Sequence, residues 1–147
     1  MKPARLNDEP LELFRDLVEQ APDAMIYADG AGMIRIWNRA AETLFGYPAT
    51  EVLGQSLDII IPERFRSAHW SGFRRAMESG HTKYAGRVLT TRSVHKSGSK
   101  LYVDLSFGMV KNSAGSVVGA LAVGRAAVDH VAKNPGTWRR LDSSNAG

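Results

Sequence analysis

The amino-acid sequence predicts an α+β domain in which helices pack on one face of a five-stranded antiparallel sheet. Two β-rich runs around a glycine turn come first, three strand-like segments joined by short turns come last, and the helical spacings lie mostly between them. Sequential hairpins favour antiparallel pairing, and segregated helices then cover one face. At 147 residues, 44% of them hydrophobic, the chain suits one domain with a real core. A helix layer spanning a curved sheet leaves a cavity between the two layers, and a ligand is expected there.

Residues 1–9 read as a flexible polar leader. Over 10–21, Leu11, Phe14, Leu17 and Val18 fall at helical spacing with Glu12, Arg15, Asp16 and Glu19 on the other faces, so an amphipathic helix is expected. It should stop before Pro22, because proline disfavours helical geometry in the residue before it. Its apolar stripe must cover its own domain or a second copy of the chain. The runs A-M-I-Y-A-D and M-I-R-I-W-N flank G-A-G and predict a hairpin. Asn38 is a suitable N-cap for a helix over Arg39–Phe45, and Gly46 suits the left-handed position that ends it. Pro48 and Gly54 bracket a second short helix, and Leu57, Ile59, Ile60 and Ile61 form a brief buried run that Pro62 stops.

A longer helix is predicted over Glu63–Ser79, ended by Gly80. Phe65, His69, Phe73 and Met77 lie four apart and therefore share a face. Three strands follow. The first is expected within Lys83–Val94. In the second, Leu101, Val103, Leu105, Phe107 and Met109 alternate with polar or small residues, and the third covers Val117–Val123. Ser97-Gly98-Ser99 and Asn112-Ser113-Ala114-Gly115 are the turns between them. Residues 127–147 read as a polar tail.

The chain has no cysteine, which excludes a disulfide scaffold, a Cys-ligated zinc or iron–sulfur site, a thiol nucleophile and a thiol-bonded chromophore. Val117–Val123 is too short to cross a bilayer and the N-terminus lacks a signal-peptide core, so a cytoplasmic protein is expected. The net charge of +4 is spread over many segments, with no basic stripe on any helix, and nucleic-acid binding is not expected. His81, His95 and His130 sit in or near turns without metal-ligand spacing and read as surface residues. Trp70 points about a quarter turn from the His69 face and reads as interface or partial core. No serine, threonine or carboxylate pair stands in a recognisable catalytic context, so no enzymatic activity is expected.

The string W-N-R-A-A-E-T-L-F-G-Y-P-A-T-E-V-L-G (Trp37–Gly54), the segment I-I-P-E-R-F-R-x-x-H (Ile60–His69), the H-K-S-G-S turn and a last strand ending in Arg125 resemble a PAS domain. The resemblance covers Leu11 to Arg125 and implies the PAS fold for 22–126. Within the family, the segment from Pro62 onward is similar to haem-binding oxygen sensors of the FixL type. That likeness implies haem b, with His69 as the proximal ligand to the iron. It further implies Arg75 at a propionate-pairing position, and Leu105 and Phe107 on the distal strand. The oxygen sensors place an arginine where this chain has Leu89, and Arg87 stands where some haem sensors place a distal methionine. On a strand, Arg87 would share Leu89's face and could donate to a bound gas or to a propionate. No acidic residue follows Arg125, and no kinase, cyclase or DNA-binding module follows the domain.

Chemically, haem iron needs a neutral imidazole from a rigid element, and a mid-helix histidine meets that need. Phe65, Phe73 and Met77 would wall it off from water. The plainer alternative is a helix histidine bonded to a loop carbonyl. Two functions therefore stand. One is a signalling sensor binding haem through His69 and responding to a diatomic gas or to redox state, with the group's movement against Leu89, Leu105 and Phe107 shifting the sheet and the leading helix. The other is a PAS module without a cofactor, or with a small metabolite in the same cavity, that dimerises or docks on a signalling protein through its first helix and sheet. A homodimer is expected in either case. The start at Met1 favours a stand-alone regulator over a fragment.

Overall fold

The computed structural model describes residues 5–127; the expected tail beyond 127 and His130 lie outside the described residues. Four helices, α1 (Leu11–Gln20), α2 (Arg39–Phe45), α3 (Ala49–Val52) and α4 (Arg66–Ser79), accompany five strands, β1 (Ala24–Asp29), β2 (Ile34–Trp37), β3 (Leu89–Val94), β4 (Lys100–Lys111) and β5 (Val117–Ala126). The strands form one antiparallel sheet in the order β2-β1-β5-β4-β3. The pairs β1–β2, β3–β4 and β4–β5 are sequential hairpins, whereas β2 and β3 form the two edges. The remaining pairing, β1–β5, joins the two halves of the chain at the sheet centre.

Alternation fixes which residues face the helices. Ile26 pairs with Trp37 and Ala122, Leu105 with Leu89 and Gly124, and Val103 with Thr91, so these side chains share one face. That face and the inner sides of α2 and α3 build the core, in which Ile34, Phe45, Val52 and Val103 are fully buried. Each such side chain contributes about 1.5–3 kcal/mol. Trp37 lies 5.2 Å from Phe45 between ring centroids, and its indole N–H donates to the Tyr47 carbonyl at 3.0 Å.

Asn38 does more than cap α2. Its Oδ1 accepts from the Ala41 amide at 3.1 Å and the Met25 amide at 2.9 Å, and its Nδ2 donates to the carbonyls of Val18 at 2.8 Å and Asp23 at 3.0 Å. One buried carboxamide thus ties the end of α1 to the start of β1 and the start of α2. Gly46 ends α2 in the left-handed region, as the sequence predicts. The apolar stripe of α1 is only partly covered within the described residues: Phe14 and Val18 are half-buried, whereas Leu11 is 77% and Leu17 58% exposed.

Several expectations need correction. Leu6–Asp8, inside the expected leader, is a 3-10 turn. The run after Ser56 is also a 3-10 turn (Leu57–Ile60) in which only Ile60 is buried. The long helix begins at Arg66, because Glu63–Phe65 forms a separate 3-10 turn behind Pro62. The third strand begins only at Leu89. Residues 83–86 are a turn closed by Gly86 at φ +76°, a conformation that ends an extended run.

Candidate functional site

Helix α4 packs against β5, and Gly80 at φ +77° terminates it. His69 sits in its first half. The imidazole is flanked edge-on by the Trp70 indole, 4.7 Å between centroids at 75°, and by the Phe73 ring at 6.1 Å. Trp70 and Phe73 also meet edge to face at 5.3 Å. The four-residue spacing from His69 to Phe73 therefore does bring an aromatic wall onto the imidazole. Met77, a turn further on, leans toward the β1–β2 turn, where its Cε lies 3.2 Å from the position a side chain on Gly30 would take.

Neither ring nitrogen of His69 is hydrogen-bonded among the described residues, and Nδ1 is sealed from solvent. Burial disfavours the charged ring and pushes its pKa from 6.5 down to about 4, against the opposing pull of the Asp58 carboxylate. The imidazole is therefore neutral at physiological pH. It keeps an unshared electron pair in an aromatic setting, without the loop carbonyl that a merely structural histidine would bond.

Trp70 holds this residue pair in place. Its indole N–H donates to Asp58 Oδ1 at 2.7 Å, and its six-membered ring covers Gly32, where any side chain would collide with it. Asp58 is pinned in turn by Arg66, which bonds the carbonyls of Ile61 at 3.0 Å and Asp58 at 3.2 Å. Trp70 is thus partial core, as expected. Its contact with His69 and its bond to Asp58 are not legible from spacing, because Asp58 lies in a different element.

The expected distal residues fall on the core face of the sheet. Leu105 is buried, Leu89 and Phe107 are half-buried, and Leu89 and Leu105 are direct cross-strand partners. The expected arginines do not join them. Arg75 is exposed and bonds Ser71 Oγ at 2.8 Å. Arg87 precedes β3 rather than lying on it, so it does not share Leu89's face; it is exposed, 5.8 Å from the Tyr84 ring centroid. His81 is exposed, as predicted, whereas His95 is half-buried against Gly46 with Nδ1 2.9 Å from Ser97 Oγ. An open cleft of about 580 Å³ lies between the 3-10 turn Glu63–Phe65 and β3, lined by Pro62, Glu63, Arg64 and Arg92. Among the described residues no three acidic, histidine or cysteine side chains cluster as a metal site, and no helix is long and apolar enough to cross a membrane.

Residues 12–127 match the family model described as the PAS fold. The chain is 35% identical over 100 residues to the sensor protein FixL of Bradyrhizobium diazoefficiens, covering 67% of this chain and 19% of that protein. It is 30% identical over 125 residues to the oxygen sensor protein DosP of Escherichia coli, covering 85% of this chain and 15% of that protein. The chain thus spans less than a fifth of the length of either relative. A solved PAS domain from Colwellia psychrerythraea superposes with a TM-score of 0.69 at 22% identity, covering 82% of this chain and 98% of that one.

Proposed function

The chain belongs to the PAS family, and from that premise we propose that it is a sensor domain that takes haem b through His69 and responds to a diatomic gas or to redox state. The observation that carries this is the His69 imidazole: neutral, sealed at Nδ1 and without a hydrogen-bond partner. A buried polar atom left unpaired costs about 1–3 kcal/mol, which a protein tolerates where a ligand makes use of the group. The kinship with proteins named a sensor and an oxygen sensor supports the same assignment.

Bound haem would supply an iron able to take a gas or change oxidation state. The chain's part is to present a nitrogen that stays unprotonated down to about pH 4, and to exclude water with Trp70 and Phe73. Leu89, Leu105 and Phe107 give the sheet face an apolar lining suited to a flat macrocycle. A displacement of His69 bears on Trp70, and through it on Asp58 and on Gly32 at the β1–β2 turn, so the helix layer and the sheet edge move together. On this reading the chain is a sensor and not an enzyme. Purified protein reconstituted with haemin is expected to show a Soret band that His69→Ala abolishes. A protein that takes up no haemin refutes the assignment.

A second reading rests on α1, whose exposed Leu11 and Leu17 leave part of its apolar stripe open among the described residues. A second copy of the chain laid against that stripe would make the domain a dimerisation module, with or without a ligand. Size measurement on a chain beginning at Pro22 tests this: loss of self-association supports it, and an unchanged dimer overturns it.

A further inference from the structure

Charge divides unevenly along this chain. Residues 1–63 hold eleven acidic side chains against five Lys and Arg, whereas residues 64–127 hold eleven Lys and Arg against only Glu78 and Asp104. The fold carries that division into space, because α1, α2, α3 and the edge hairpin β1–β2 come from the acidic half and α4 and the edge strand β3 from the basic one. On α1, Phe14 and Val18 are half-buried, and the opposite side carries two pairs at four-residue spacing, Glu12 with Asp16 and Leu13 with Leu17. All four are exposed. Glu19 pairs with Arg39, but Glu12 and Asp16 reach no cation among the described residues. On α4, His69, Trp70, Phe73 and Met77 take the inner side, and Ser67, Arg74 and Arg75 are exposed on the other. Arg74 has no hydrogen bond or ion pair among the described residues, and Arg75 has only Ser71 Oγ. Glu78 is the one acid on that side, which is left net positive. Beside Arg75, Ala68, Gly72 and Ala76 follow at one-turn spacing, and a side chain on Gly72 would meet nothing within 4 Å.

We propose that the outward side of α1 in one copy of the chain docks on this side of α4 in a second copy, with Glu12 and Asp16 opposite Arg74 and Arg75, and Leu13 and Leu17 over Ala68 and Gly72. The inference rests on the reading of α1 as an association surface and adds the face that receives it. Two features of the helices argue for a second copy as the occupant. The charges are complementary, with a free acidic pair on one helix and a free basic pair on the other. The rows also correspond. Around each helix the charged row precedes the apolar or small-residue row in the same rotational sense, so like rows meet when the two helices run antiparallel. Exposed ion pairs contribute little each, so burial of the two leucines supplies most of the affinity, and the charges select the partner face and its direction.

The test is sedimentation velocity of the full chain over a concentration series, with two charge-reversed variants and their mixture. The parent is expected to self-associate, severalfold more weakly in about 0.5 M salt than at low salt. Arg74→Glu with Arg75→Glu places acid against acid, and Glu12→Lys with Asp16→Lys places base against base. Each double variant alone is expected to associate about tenfold or more weakly than the parent. An equimolar mixture of the two restores opposite charges at the contact and is expected to recover the parent's association. All four positions are exposed, so circular dichroism is expected to show the same fold in each variant. A parent that stays monomeric, an association indifferent to either reversal, or a mixture that fails to recover would each overturn the proposal. A chain beginning at Pro22 separates this outcome from the reading beneath it. Association lost on that truncation but unchanged in Arg74→Glu with Arg75→Glu keeps α1 as the association surface and rejects α4 as its receiver, whereas association that survives the truncation rejects both.

Discussion

Replacing His69 with leucine should make the domain's stability less sensitive to acid. In the folded chain the imidazole protonates only near pH 4, whereas in the unfolded chain it does so near 6.5. Between those values the unfolded state binds the extra proton, so acid favours unfolding. The contribution of His69 is fully present above about pH 6.5 and is lost as pH falls through about 4. Integrating over that offset, the parent loses about 2 kcal/mol between pH 7 and pH 5 and about 3 kcal/mol by pH 4. The carboxylates titrate in both proteins, so comparing the two isolates His69. Urea unfolding at pH 7 and at pH 5 is the assay. With a slope of about 2 kcal/mol per molar for a small domain, the gap between leucine variant and parent should widen by about 1 M in midpoint at pH 5. At pH 7 the variant should be no less stable than the parent, because it removes a nitrogen whose lack of a partner costs about 1–3 kcal/mol. A midpoint gap that is the same at both pH values refutes the buried, neutral imidazole and with it the case for a ligand at His69.

Three further outcomes follow from the same geometry. Asn38→Ala strips four hydrogen bonds from buried and half-buried backbone groups at the junction of α1, β1 and α2, and should cost about 3 kcal/mol or more in chemical denaturation. Asp58→Asn keeps an acceptor for the Trp70 indole but removes the charge that raises the His69 pKa, so NMR titration should find that pKa below its parent value of about 4. Gly32→Ala places a side chain at φ +80° against the Trp70 ring, and should destabilise the fold by at least about 1 kcal/mol while shifting the tryptophan emission.

Periodicity and turn chemistry made much of the fold readable, because both are local. The alternation from Leu101 to Met109 fixes a strand and its faces, and Asn38 and Gly46 mark both ends of α2. Local rules failed where backbone geometry changed within a few residues. A turn through Gly86 cuts off the strand expected from Lys83 and carries Arg87 away from the Leu89 face, and the 3-10 turn behind Pro62 delays α4 to Arg66. In the candidate site, His69 and its spacing to Phe73 were visible because four residues make one helical turn.

By itself the sequence determined the α+β order, the antiparallel pairing, the caps, and the presence of one histidine on an apolar helix face. Each of these depends on residues within a few positions of one another. Only the tertiary structure decided that His69 is neutral and unpaired, that Trp70 links Asp58 to Gly32, and that Arg92 is left with a dry donor while Arg75 and Arg87 face solvent. Desolvation and hydrogen-bond satisfaction depend on what distant segments place around an atom, and no spacing along a chain encodes that.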